Sequence, residues 1–123
     1  MRALIIDDEE YVRELLADIL DISHIECITA QNCKEGLDLL LKGEQVDFVF
    51  VDWRTPLMSG LEFAKTVRGD AKIKNVPLLM VTGKTDMEDV QEALKVGVNE
   101  YLMKPFTPDM VKNKLALLGF DVG

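Results

Sequence analysis

Positive charge is scarce in this chain. Lys and Arg number 14 against 22 Asp and Glu, so the formal net charge is −8. That balance opposes unaided binding to nucleic acid or to an anionic membrane, and it makes a protein the expected partner. Long apolar runs are missing as well. None could span a bilayer, and the single Arg and short apolar stretch at the N-terminus do not make a signal peptide. These absences predict a cytoplasmic protein with no membrane insertion and no direct nucleic-acid contact. Cysteine is limited to Cys27 and Cys33. Their expected places, one in a strand and one at a helix start, match no zinc spacing, so both read as reduced structural thiols. The one histidine, His24, falls in a loop near the far end of the expected sheet and is assigned no role. There is no internal repeat, low-complexity segment or linker.

What is present fits one small domain over residues 1–123, with 48% hydrophobic residues for an independent core. Strand and helix patterns alternate throughout. Strands are expected near 2–7, 26–30, 47–52, 77–82 and 99–103, and helices near 9–22, 33–42, 60–69, 86–96 and 108–118. Val12, Leu15, Leu16 and Ile19 make one apolar helix face, and Leu37, Leu40 and Leu41 another. Asn32 with Glu35 and Thr85 with Glu88 have capping-box spacing, Thr107-Pro108 is a cap followed by proline at the first helical position, and Gly43, Gly97 and Gly119 sit where helices should stop. Five βα units with right-handed crossovers predict an α/β fold of the flavodoxin-like, doubly wound kind. It would be a five-stranded parallel sheet of order 2-1-3-4-5 with helices on both faces. The last helix runs almost to the terminus, so no output domain is expected after it.

Three of the apolar runs end in a residue fit for phosphoryl chemistry. Leu4-Ile5-Ile6 ends in Asp7-Asp8, Phe48 to Val51 in Asp52, and Leu78 to Val81 in Thr82; a fourth, Tyr101 to Met103, ends in Lys104. In open α/β sheets the carboxyl ends of the strands form the ligand crevice, so three carboxylates, a hydroxyl and an ammonium are expected to share one pocket. Carboxylates a few Å apart repel, and either one takes up a proton or a hard cation enters. Mg²⁺ suits such a site, because it is usually held by one or two carboxylates together with phosphate oxygens. An Asp can also be the nucleophile that becomes an aspartyl phosphate, while Mg²⁺, an ammonium and a hydroxyl position the group and stabilise its charge. Each residue alone has a plainer use. Asp8 could cap the first helix, Asp52 could open a turn before Pro56 and Gly60, Thr82 could be an ordinary strand residue, and Lys104 could be solvated. Their joint placement at strand ends favours the chemical reading.

Four stretches now resemble a known family. Leu4 to Glu10, Val51 to Gly60, Pro77 to Gly83 and Gly97 to Thr107, in this order and spacing, resemble the receiver domains of two-component response regulators, among them the single-domain CheY type. The resemblance implies that Asp52 is the phosphoacceptor and that Asp8, Asp52 and the backbone carbonyl of Arg54 bind Mg²⁺, with Asp7 nearby through water. It implies that Thr82 and Lys104 contact phosphoryl oxygens, and that Tyr101 swings inward when Thr82 moves towards the phosphoryl group. The change would be read on the face of helix four, strand five and helix five. Lys104-Pro105 is expected to be cis, as in the family.

The sequence departs from the commonest pattern at Thr55, which replaces a methionine, and at Ser59, which replaces an aspartate. Arg54 and Lys84 add two long cations that are expected to cover the phosphoryl group and slow its hydrolysis. The resulting expectation is a signalling switch, not an enzyme acting on other molecules. It would take a phosphoryl group from a histidine kinase or a histidine phosphotransfer domain and signal by protein contact, with chemotaxis one option. A phosphorelay intermediate is an alternative. A haloacid-dehalogenase-type phosphatase would want a second Asp two residues after the nucleophile, where Arg54 stands. A phosphorylation-independent adaptor would leave the acidic site without a use.

Overall fold

The computed structural model of the chain describes residues 1–83 and 87–121. Strands β1 (Arg2–Ile6), β2 (Glu26–Ala30), β3 (Phe48–Asp52), β4 (Leu78–Thr82) and β5 (Glu100–Met103) alternate with helices α1 (Glu10–Ile22), α2 (Cys33–Leu41), α3 (Gly60–Gly69), α4 (Met87–Lys95) and α5 (Pro108–Leu117). The sheet is parallel, in the order β2-β1-β3-β4-β5, as the alternation predicts. Every residue of β3 and β4 is buried, which is why these strands are apolar without alternation: helices cover both of their faces. The edge strands β2 and β5 carry the charged Glu26 and Glu100, a composition that discourages further pairing.

Two cores result, one on each side of the sheet. On the first, Leu4, Ile6, Val49, Val51, Leu78 and Met80 pack against side chains of α2, α3 and α4 such as Leu40, Phe63, Val67 and Val90. On the second, Ala3, Ile5, Phe48, Phe50, Leu79, Val81 and Leu102 pack against Leu16 and Ile19 of α1 and Val111 and Leu115 of α5. Two expected core residues are instead exposed, Leu15 and Leu41. At about 100° per residue, each stands nearly a right angle from the centre of its helix's buried stripe. That stripe runs through Val12, Leu16, Ile19 and Leu20 in α1 and through Cys33, Gly36, Leu37 and Leu40 in α2.

The expected caps at Asn32 and Thr107 are present, accepting from the Glu35 and Met110 N–H groups. Gly43, Gly97 and Gly119 all take positive φ where helices end, which a glycine allows without strain. Thr85 and Lys84 lie outside the described residues. Cys27 and Cys33 are free thiols, pushed up to about 11 chiefly by burial, consistent with structural roles.

Gly60, the first residue of α3, allows the helix to seat directly on Trp53: a Cβ there would overlap the indole ring and come within 2.8 Å of the Trp53 Cα. Backbone cannot yield as a flexible side chain would. Gly60→Ala should therefore cost about 1–3 kcal/mol, read as a lower denaturant midpoint at unchanged m-value.

Candidate functional site

The carboxyl ends of β1, β3 and β5 converge. Strand alternation places Asp7 after Ala3 and Ile5, and Asp52 after Phe48 and Phe50, so both acids continue the sheet face that packs on α1 and α5. Lys104, two residues beyond Leu102, continues it from β5. Asp7, Asp8 and Asp52 each offer a carboxylate oxygen, all within 4.8 Å of one another. Lys104 Nζ lies 3.1 Å from Asp7 Oδ2, 3.7 Å from Glu9 Oε1 and 3.9 Å from Asp52 Oδ2. The Lys104-Pro105 bond is cis, and the ammonium faces the pocket instead of solvent.

Hydrogen bonds fix the acids. Asp7 Oδ1 accepts the Glu9 N–H at 2.9 Å, and Arg13 donates to the Asp7 carbonyl at 2.7 Å. Asp52 Oδ1 accepts the Arg54 N–H at 3.2 Å. Asp8 does not cap α1: the N-cap is Glu9, with no side-chain cap bond, and Asp8 is an exposed pocket carboxylate. Asp52, only 8% exposed, has its carboxyl pushed up to about 7, first by burial and then by the Asp7 charge, with Lys104 and the Arg54 N–H pulling the other way. Burial alone would lower the Lys104 pKa, but Asp52 and Asp7 more than offset it and hold the ammonium above its ordinary value.

This donor set fits a hard divalent cation. Asp7 Oδ2 is buried, and among the described residues no hydrogen bond is aligned on it, the Lys104 ammonium standing 3.1 Å away. An unsatisfied carboxylate oxygen beside two further carboxylates is strongly unfavourable without compensating positive charge, and all three ligands are oxygen, the preference of Mg²⁺.

Thr82 and Tyr101 belong to the opposite face. Thr82 follows Leu78 and Met80 in the first core, and β5 pairs Met80 with Tyr101 and Thr82 with Met103. The two are therefore diagonal neighbours on one side of the sheet. The Thr82 hydroxyl spends its proton on the Gly83 carbonyl at 3.3 Å, a long bond that is cheap to exchange. Tyr101 packs on the first core beneath Lys114, whose Nζ sits 4.1 Å from the ring centroid and donates to Glu100 at 2.9 Å.

Sequence reasoning missed several contributors. Ser59 caps α3 by accepting the Glu62 N–H, a capping-box signal that was legible as Ser-x-x-Glu. Thr55 ties the loop after β3 to α2, accepting the Cys33 N–H and donating to the Met58 carbonyl. Glu9 and Arg13 frame the pocket with no spacing to announce them. Arg54, expected to cover the phosphoryl group, has its guanidinium paired with Asp89 on α4 at 3.2 Å in the unloaded site.

A doubly wound sheet with an acidic cluster and a lysine at its carboxyl end defines an α/β domain of the receiver kind. The chain belongs to the response regulator receiver domain family, whose model matches residues 3–116. A chemotaxis CheY homolog from Campylobacter jejuni is 40% identical over 116 residues, covering 94% of this chain and 89% of that protein. Helicobacter pylori CheY1 is 33% identical, with 96% of each chain covered. Among solved structures, Vibrio cholerae CheY4 superposes with a TM-score of 0.85 at 33% identity, over 94% of this chain and 95% of that one. A response regulator from Chloroflexus aurantiacus gives 0.88 at 30% identity, over 97% and 98%. No helix of the described residues is long and apolar enough to cross a membrane.

Proposed function

We propose that residues 1–123 form one receiver domain that is phosphorylated on Asp52 by a histidine kinase or histidine phosphotransfer domain and signals by protein contact in a chemotaxis-type two-component pathway. The observation that carries this reading is the convergence of Asp7, Asp8 and Asp52 on one ammonium, Lys104. A carboxylate oxygen of Asp52 attacks phosphorus, the P–N bond to the donor imidazole breaks as the new P–O bond forms, and the imidazole leaves as a histidine side chain. Asp8, Asp52 and the Arg54 carbonyl would hold Mg²⁺, with Asp7 behind them. When bound, the ion neutralises the clustered carboxylates and the phosphoryl oxygens. Lys104 supplies a fixed positive charge for the same oxygens, and its cost of organisation is met in advance by its contacts to Asp7 and Glu9.

The Thr82 hydroxyl exchanges the Gly83 carbonyl for a phosphoryl oxygen, a contact that exists in only one of the two states and can therefore shift their balance. Its diagonal neighbour Tyr101 carries the change to the surface formed by α4, β5 and α5. Thr82→Ala should still accept the phosphoryl group but lose most of the gain in target affinity that phosphorylation brings. Target affinity equal to that of the phosphorylated wild type would sink the Thr82–Tyr101 coupling. The reading as a whole is tested by comparing captured partners with and without beryllofluoride and Mg²⁺. A target retained only in the loaded state supports a switch, whereas onward transfer of label to a second histidine would make it a relay intermediate.

A further inference from the structure

Arg54 links the acidic pocket to α4. Its backbone N–H donates to Asp52 Oδ1 at 3.2 Å, while its guanidinium Nη2 lies 3.2 Å from Asp89 Oδ2 on the first turn of α4. We infer that Asp89 holds the Arg54 side chain on α4 in the unloaded protein, and that Arg54 changes partner to the phosphoryl oxygens when Asp52 is loaded. The inference rests on the assignment of Asp52 as phosphoacceptor.

The physical case is one of competing acceptors. In the unloaded site Asp52 is buried and its Oδ1 already takes the Arg54 N–H, so it offers the guanidinium little. The Asp89 carboxylate is more accessible, and the Arg54 side chain is 67% exposed. An ion pair so open to water is weak and easily exchanged. A phosphoryl group on Asp52 brings about two negative charges and three strong acceptor oxygens beyond the buried carboxylate, a geometry the flat guanidinium fork engages with two parallel bonds. Because Arg54 starts from the residue whose N–H touches Asp52, rotation about side-chain bonds is enough to move the charge from α4 to the phosphoryl group.

The exchange leaves Asp89 without this partner in a helical turn that also carries Glu88. Loading Asp52 would thereby alter the start of α4 by a route separate from Thr82 and Tyr101. By reciprocity, a partner that prefers the released Asp89 strengthens retention of the phosphoryl group to the same degree that loading strengthens its binding.

The test is a double-mutant cycle on beryllofluoride binding in the presence of Mg²⁺, followed by the fluorescence of Trp53, the single tryptophan. Asp89→Asn keeps the side-chain shape and removes the Asp89 charge from the competition. It should tighten beryllofluoride binding by roughly two- to fivefold, the range of an exposed ion pair. In the Arg54→Gln background the same Asp89→Asn change should have no effect. An unchanged affinity in Asp89→Asn, or an equal gain with and without Arg54, would overturn the partner exchange, the second outcome by showing that helix charge acts alone. Wild-type protein that binds no beryllofluoride would overturn the phosphoacceptor assignment itself.

Discussion

Incubated with acetyl phosphate and Mg²⁺, the wild-type protein should gain one acid-stable, base-labile phosphoryl group, and Asp52→Asn should gain none. The three pocket carboxylates are not equivalent. Asp7 has one oxygen committed to the Glu9 N–H and the other against Lys104, and Asp8 is the exposed member at the rim. Asp52 ends the central strand β3, oriented by the Arg54 N–H and facing the ammonium across 3.9 Å. Asparagine preserves the shape and can still accept the Arg54 N–H, but it cannot form an acyl phosphate. Mass spectrometry of intact protein should show no added phosphoryl group in the variant. Full labelling of Asp52→Asn would place the nucleophile elsewhere.

The metal-free protein should lose stability as pH rises, and Asp52 should be the cause. Its carboxyl stands at about 7 in the fold against an ordinary 3.8. Between those values the native state binds more protons at this site than the unfolded chain, so the stability present at low pH is lost as pH rises through the native pKa. From pH 5 to pH 8 the site should cost about 2–3 kcal/mol. Urea unfolding in the presence of a chelator should show this fall in wild type, and Asp52→Asn should flatten most of it, since it removes the titrating carboxyl itself. Saturating Mg²⁺ should flatten the wild-type curve as well, by supplying the positive charge that the ionised cluster lacks. Parallel pH profiles for the two proteins would refute this origin.

The fold was legible because its signals are local and repeated. Strands buried on both faces read as unbroken apolar runs, and glycines end α2, α4 and α5 with positive φ. The acidic cluster was legible for the same reason: Asp7, Asp52 and Lys104 each follow such a run directly, and parallel strands bring their ends together whatever their distance in sequence. What escaped notice is nonlocal and conformational. Nothing near Arg54 announces Asp89, thirty-five residues on. Leu15 and Leu41 were misjudged because an apolar residue at the margin of a stripe has the same composition as one at its centre. Only the helix's rotation on the sheet separates them.

β1 precedes both of its sheet partners in the chain and is one of the most interior strands. β1 lies between β2 and β3, and Ala3 to Ile6 are almost wholly inaccessible to solvent. On a growing polypeptide β2 can close one side once Ala30 has emerged, but the other side waits for Phe48 to Val51, which are its partners in the register. In that interval the nascent chain carries an unpaired, greasy strand edge, the feature most apt to recruit a neighbouring chain. The same placement makes β1 a keystone for assembly: a stalled or truncated translation product that stops before Phe48 has the material for a sheet but no means of sealing its middle.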